Sequence, residues 1–276
     1  NSTIAGNTAS RSGGGITSRV TATLSNTIVA GNRVTGVGAI DFNGDLLPGS
    51  SNNLIGIDVG LSGLTNGVNG NQIGTLSDPI DPLFGPLTFN GGPTQTHALL
   101  ADSPAIDAGN NALALDSNGT PLEVDQRSAP FVRIFDGDGN GTATVDIGAF
   151  EYYTLPDGIL VVTTIDDERD LDPLNPDGSD LSLREAIDLA NGSVNGMTVD
   201  TITFDPDVFG SAQTIELILG ELRITDAVTI IGPGRELLTI DANSNSRIFN
   251  IKDDATISGL TLTGGHATNG GAIRTV

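Results

Sequence analysis

Thr3-Ile4-Ala5-Gly6-Asn7, followed by Gly13-Gly14-Gly15-Ile16, returns about 25 residues later as Ile28-Val29-Ala30-Gly31-Asn32, followed by Gly36-Val37-Gly38-Ala39-Ile40. Towards the other end, Leu260-Thr261-Leu262-Thr263-Gly264-Gly265 leads to Gly270-Gly271-Ala272-Ile273. Between these copies the apolar residues come in short alternating pulses: Ile215/Leu217, Leu222/Ile224, Val228/Ile230, Leu238/Ile240, Ile248/Ile251, Ile257 and Leu260/Leu262. A period of two describes strands with one buried face. Similar segments recurring about every 20 to 27 residues predict the stacked coils of a right-handed parallel β-helix. Asn and Gly suit its corners because they tolerate positive φ, and Thr between the apolar positions favours a strand while facing water. The fold class expected is all-β, with β-helix coils, a β-rich capping domain and one short capping α-helix.

Composition narrows the function. The 276 residues carry 34 acidic and 12 basic side chains, a formal charge of −22, and every basic residue is Arg except Lys252. No Lys/Arg cluster is present to neutralise phosphates, so nucleic acid is not expected as a partner. Cysteine is absent, which excludes disulfides and thiolate sites. No run of 18 apolar residues exists to span a bilayer as a helix. Mean hydropathy is slightly positive at +0.03, which argues for a packed chain despite the charge.

Two segments are more specific than the repeats. Asn90-Gly91-Gly92-Pro93-Thr94-Gln95-Thr96-His97-Ala98-Leu99-Leu100 is followed by Ser103-Pro104-Ala105-Ile106-Asp107-Ala108-Gly109, Asp125-Gln126-Arg127 and Asp146-Ile147-Gly148-Ala149-Phe150-Glu151. This region, roughly Asp81 to Tyr152, resembles the choice-of-anchor Q domain that closes β-helix regions in bacterial surface proteins. Leu160-Val161-Val162-Thr163-Thr164, then Leu181-Ser182-Leu183-Arg184-Glu185-Ala186-Ile187 and Asp200-Thr201-Ile202-Thr203-Phe204, is similar to the CSLREA-type segment that opens such helices. Leu181 stands where that family's name has Cys.

The resemblance implies an extracellular, bacterial cell-surface protein. It also implies an inverted order: coils over 1–60, a closing segment over 61–155, an opening segment over 156–197, and the coils of a next helix over 198–276. Thr275-Val276 running into Asn1-Ser2-Thr3-Ile4 would continue a coil. The expectation is one period of a tandem array, stacking end to end with adjacent repeats or with copies of itself. Ser182 and Glu185 form a capping-box pattern, with Leu183, Ala186, Ile187 and Ala190 on one face and Asn191-Gly192 as a stop. Arg184 and Glu185 read as a surface pair and cap.

For chemistry, the strongest signal is Phe135-Asp136-Gly137-Asp138-Gly139-Asn140-Gly141-Thr142-Ala143-Thr144-Val145-Asp146. Oxygen side chains at alternate positions, with glycines that let the chain curl, form the front half of a calcium loop. Ile147 stands where an EF-hand has its bidentate Glu, so Asp146 is the expected substitute. The flanks 131–135 and 145–152 read as strands. The expected ligands of a structural Ca²⁺ are therefore Asp136, Asp138, Asn140, Thr142 and Asp146, the alternative being an ordinary loop in which the Asp-Gly and Asn-Gly steps make turns. The acidic stretch from Asp166 to Asp180 lacks fixed spacing and reads as a solvated loop. His97 and His266 lack any ligand spacing, and Gly232-Pro233-Gly234 is a coil corner. Asp253-Asp254 are adjacent, and neighbours on a strand face opposite ways, so the pair cannot serve glycoside hydrolysis unaided. No nucleophile, base and orienting group assemble, so the chain is read as no enzyme. A calcium-stabilised adhesin or filament is expected. A β-helical polysaccharide lyase or hydrolase, and a module that binds surface glycans, are the alternatives.

Overall fold

A computed structural model describes residues 1–36, 40–153, 158–170, 181–193 and 199–276. The chain is an all-β parallel β-helix that divides into two compact units. One comprises Asn1–Thr88, Thr96–Gln126 and Arg133–Tyr152; the other comprises Phe89–Gln95, Arg127–Val132 and Tyr153–Val276.

In the first unit, one coil is β1 (Ser2–Ile4), β2 (Thr8–Ala9) and β3 (Ile16–Thr17), and the next is β4 (Thr27–Val29), β5 (Arg33–Val34) and β6 (Phe42–Asp45). A shorter coil follows as β7 (Leu54–Ile55) and β8 (Leu61–Ser62), and β9 (Gln72–Ile73) closes the ladder. Every coil pairing is parallel, and the register stacks Ile4, Val29, Ile55 and Ile73 in one column. Val29 and Ile55 are fully buried there, and each such side chain contributes about 1.5–3 kcal/mol. β10 (Phe84–Phe89) and β11 (Gln95–Leu99) form a separate two-stranded sheet.

Asparagine does more than turn the corners. Asn26 and Asn52 do take positive φ, yet Asn53 and Asn71 are buried and bond from coil to coil. Asn53 accepts from the Thr27 N–H at 3.1 Å, 26 residues back, and donates to Asn71 Oδ1, 18 residues on. Its Nδ2 also reaches Leu24 O and that of Asn71 reaches Ser50 O. The ladder satisfies backbone groups that would otherwise be orphaned inside the corner.

The second unit opens with β12 (Ile159–Val162), then α1 (Leu183–Gly192), β13 (Asp200–Phe204) and the single-turn α2 (Pro206–Phe209). Its coils follow as β14 (Gln213–Glu216), β15 (Leu222–Ile224) and β16 (Val228–Ile231), then β17 (Leu238–Asp241), β18 (Phe249–Ile251) and β19 (Ala255–Ser258), then β20 (Thr261–Thr263) and β21 (Ile273–Thr275). Three parallel sheets result, ordered β12-β13-β16-β19, β14-β17-β20 and β15-β18-β21. The register places Ile202 on Ile230 on Ile257, and Ile215 on Ile240 on Leu262. At the coil corner predicted for Gly232-Pro233-Gly234, Gly232 and Gly259 approach so closely that a Cβ on Gly232 would lie 2.2 Å from Gly259 O. Only a residue without a side chain fits there.

Helix α1 starts as its sequence dictates: Ser182 Oγ accepts from the Glu185 N–H, and the Glu185 carboxylate accepts from the Ser182 N–H. Two expectations nearby are corrected. Arg184 and Glu185 are not a surface pair, because all ten residues of α1 are buried. The helix packs against β12, β13 and β15, so its polar face is enclosed along with its apolar one. The acidic stretch is not wholly a solvated loop either. Asp167 is buried and holds Arg184 through Nε at 2.6 Å and Nη2 at 3.0 Å. Residues 171–180 of that stretch lie outside the described residues, as do 37–39 of the second repeat.

The flanks 131–135 and 145–152 are also not strands. They carry one isolated antiparallel bridge, Phe135 with Thr144, among the described residues. The backbone N–H groups that a ladder would use are taken by side chains instead: Val145 donates to Asn111, Asp146 to Glu151, Glu151 to Asp125 and Tyr152 to Asp146.

Candidate metal centre

The loop from Asp136 to Thr142 curls on itself through its own side chains. Asp136 accepts from the N–H groups of Asn140 at 3.0 Å and Gly141 at 2.7 Å. Asp138 accepts from the Asn140 N–H at 2.9 Å, and Asn140 Oδ1 accepts from the Thr142 N–H at 2.9 Å. Gly139 and Gly141 take φ of 72° and 89°, which a side chain would resist. Short polar residues and glycines at alternate positions therefore produce the curl locally.

A residue far away in sequence completes the cluster. Asp107, with φ of 48°, sits in a turn and accepts from the Asp138 N–H at 2.7 Å through Oδ2. Carboxylate oxygens of Asp107, Asp136 and Asp138 all lie within 4.8 Å of one another. Burial raises the Asp107 carboxyl above its usual range, and the negative charges of Asp138 and Asp136 add to that rise. Its Oδ1 is buried without a hydrogen-bond partner among the described residues.

Of the five expected ligands, Asp136 and Asp138 come together with Asp107. Asn140 and Thr142 lie along the same exposed loop, with the Asn140 carbonyl engaged by Thr142. Asp146 sits behind the cluster, 1% exposed. Its Oδ1 accepts from the Asp107 N–H at 2.7 Å and its Oδ2 from the Tyr152 N–H at 2.5 Å. Asp146 thus positions Asp107, and burial raises its carboxyl to about 7. Sequence reasoning missed Asp107, whose visible signal was only its place in Ala105-Ile106-Asp107-Ala108-Gly109.

These residues fit a hard cation. The donors are all oxygens, three converging carboxylates repel one another without a positive charge, and Asp107 Oδ1 lacks a partner among the described residues. A bound Ca²⁺ would be held by Asp107, Asp136 and Asp138 and would tie two separate loops together.

A second acidic group in the same unit serves structure. Arg133 Nη1 donates to Glu151 Oε2 at 2.8 Å, while its Nη2 donates to the carbonyls of Asp146 at 3.1 Å and Gly148 at 2.8 Å. Glu151 Oε1 accepts from the Asp146 N–H. Burial holds the Glu151 carboxyl well above its usual value, with Asp146 adding to the rise. Shifted carboxyls of this kind mark many catalytic sites, but Asp146, Glu151 and Arg133 are each 1% exposed. Every carboxylate oxygen of Asp146 and Glu151 already accepts a bond, so this network presents none to a substrate.

His97 Nδ1 lies 2.8 Å from Gly85 O, with its ring against Phe84. His266 and the Asp253-Asp254 pair are exposed.

Compared with protein-family models, with curated proteins and with solved structures, the chain gives no match.

Proposed function

We propose that this chain is a structural, non-enzymatic segment of a bacterial cell-surface adhesin or filament, whose coils stack end to end and whose loops are fixed by Ca²⁺. The observation that carries the reading is the in-register parallel stacking of coils within each unit, Ile4 on Val29 on Ile55 on Ile73 in the first and Ile202 on Ile230 on Ile257 in the second. A coil that stacks on its neighbour in this way is a template for a further coil. The partner is an adjacent repeat of a tandem array or a second copy. The resemblance to choice-of-anchor Q and CSLREA-type segments supports an extracellular setting, where millimolar calcium would fill a weak site.

Sedimentation and light scattering at rising concentration, in calcium and in EGTA, test both parts. Concentration-dependent oligomers are expected, together with an unfolding transition of the first unit that rises with calcium. At a hundredfold excess over Kd the ion would add about 2.7 kcal/mol. A clean monomer at high concentration would overturn the stacking, and a transition indifferent to EGTA would overturn the structural ion.

A further inference from the structure

We propose that a pocket of about 240 Å³ in the second unit binds the carboxylate of a sugar acid, with Arg223 as its principal contact. The inference does not depend on the stacking role. Arg223 is the middle residue of β15, between the inward-facing Leu222 and Ile224, so alternation turns its side chain out of the coil. Its guanidinium carbon lies over the Phe89 ring, 4.0 Å from the centroid. Stacking of that kind leaves the N–H edge of the plane open. The buried Nε has no hydrogen-bond partner among the described residues.

The other charges in the pocket are already matched. Arg184 is held by Asp167, Asp188 is bonded to Arg169, and Glu221 is bonded to Arg247. Among the described residues Arg223 therefore stands without a carboxylate, in a chain that carries 34 acidic against 12 basic side chains. Acidic residues are abundant, and the fold nevertheless keeps this cation stacked and partly desolvated, with no carboxylate partner among the described residues. Arg169 bonds Asp188 through Nε, and its Nη groups, beside the same pocket, have no partner among the described residues, with its side chain 39% exposed. Two guanidinium edges facing one small volume are the chemistry that recognises a planar carboxylate in bidentate fashion. The volume falls below that of a drug-sized site and suits one monosaccharide. Sulfate shares the oxyanion chemistry but lacks the planar two-oxygen edge, and it forms the competing arm of the test.

The experiment is calorimetric titration of the whole chain with glucuronate, galacturonate, glucose and sulfate, at low ionic strength. Millimolar binding of a uronate is expected, with none for glucose and weaker binding for sulfate. Arg223→Gln should weaken uronate binding at least about tenfold, and Arg223→Lys should weaken it too, because an ammonium has no fork. Arg274→Gln, on β21, should leave it unchanged. Circular dichroism and an unaltered unfolding transition would show that the Arg223 variants fold. If these fail to fold, Phe89→Leu, which removes the stacking platform, should weaken binding instead. Absence of uronate binding, equal binding of glucose, sulfate binding more tightly than uronate, or full affinity in Arg223→Gln would each overturn the proposal.

Discussion

Replacing Arg184 by Met should cost the second unit about 3 kcal/mol. The side chain is 2% exposed and donates four hydrogen bonds: two to Asp167, one to Gly220 O at 2.7 Å and one to Glu221 O at 3.2 Å. Breaking a buried pair by removing one partner costs about 3–5 kcal/mol, because the surviving charge is left uncompensated. The lower end applies here. Asp167 would keep the N–H groups of Ile218 at 2.7 Å and Leu219 at 2.8 Å, and Met fills much of the vacated volume. Urea unfolding followed by circular dichroism reads the loss, and the thermal transition should fall by about 6–12 °C, at 2–4 °C per kcal/mol. The double variant Asp167→Asn, Arg184→Met should be less destabilised than the sum of its two single variants, since it leaves no lone charge. A loss under about 1 kcal/mol for Arg184→Met, or a double variant as poor as that sum, would refute the view that this pair clamps the segment before α1 to the turn at 218–221.

Two further outcomes follow from the same physics. Asn53→Asp keeps the shape and the acceptor for Thr27 but loses the donors to Leu24 O and Asn71 Oδ1. It should cost about 2–4 kcal/mol in urea unfolding of the first unit, and a neutral result would show that the ladder is incidental. Asp188 gives a pH dependence: burial raises its carboxyl from 3.8 to about 6, against the pull of Arg169 and Arg184 and with a push from Glu185. The folded state then holds this proton more tightly than the unfolded state, so the stabilisation is complete below about pH 4 and is lost as pH rises through about 6, up to a ceiling of about 3 kcal/mol. Asp188→Asn should flatten that part of the stability profile relative to the parent chain. Parallel profiles for the two proteins would contradict the assignment.

What could be read from residues alone was what local or periodic physics dictates. Alternation in Ile202, Ile215, Ile230 and Ile240 announces strands with one buried face, recurrence of like segments announces stacking, and Ser182 with Glu185 announces a helix start, because each signal operates within a few residues. The curl of the Asp136 to Thr142 loop is equally local, set by Asx bonds and glycines. Tertiary structure decided what depends on partners distant in sequence. Asp107 joins Asp138 across 31 residues, Arg184 finds Asp167 across 17, and Asn53 meets Asn71 across 18 after meeting Thr27 across 26. Because the coils differ in length, no fixed period reveals which polar side chains will be enclosed together. Burial then changes their chemistry: it turned an expected surface pair into a buried clamp, made Asp146 a support for Asp107, and left Arg223 stacked on Phe89 without a counter-ion among the described residues.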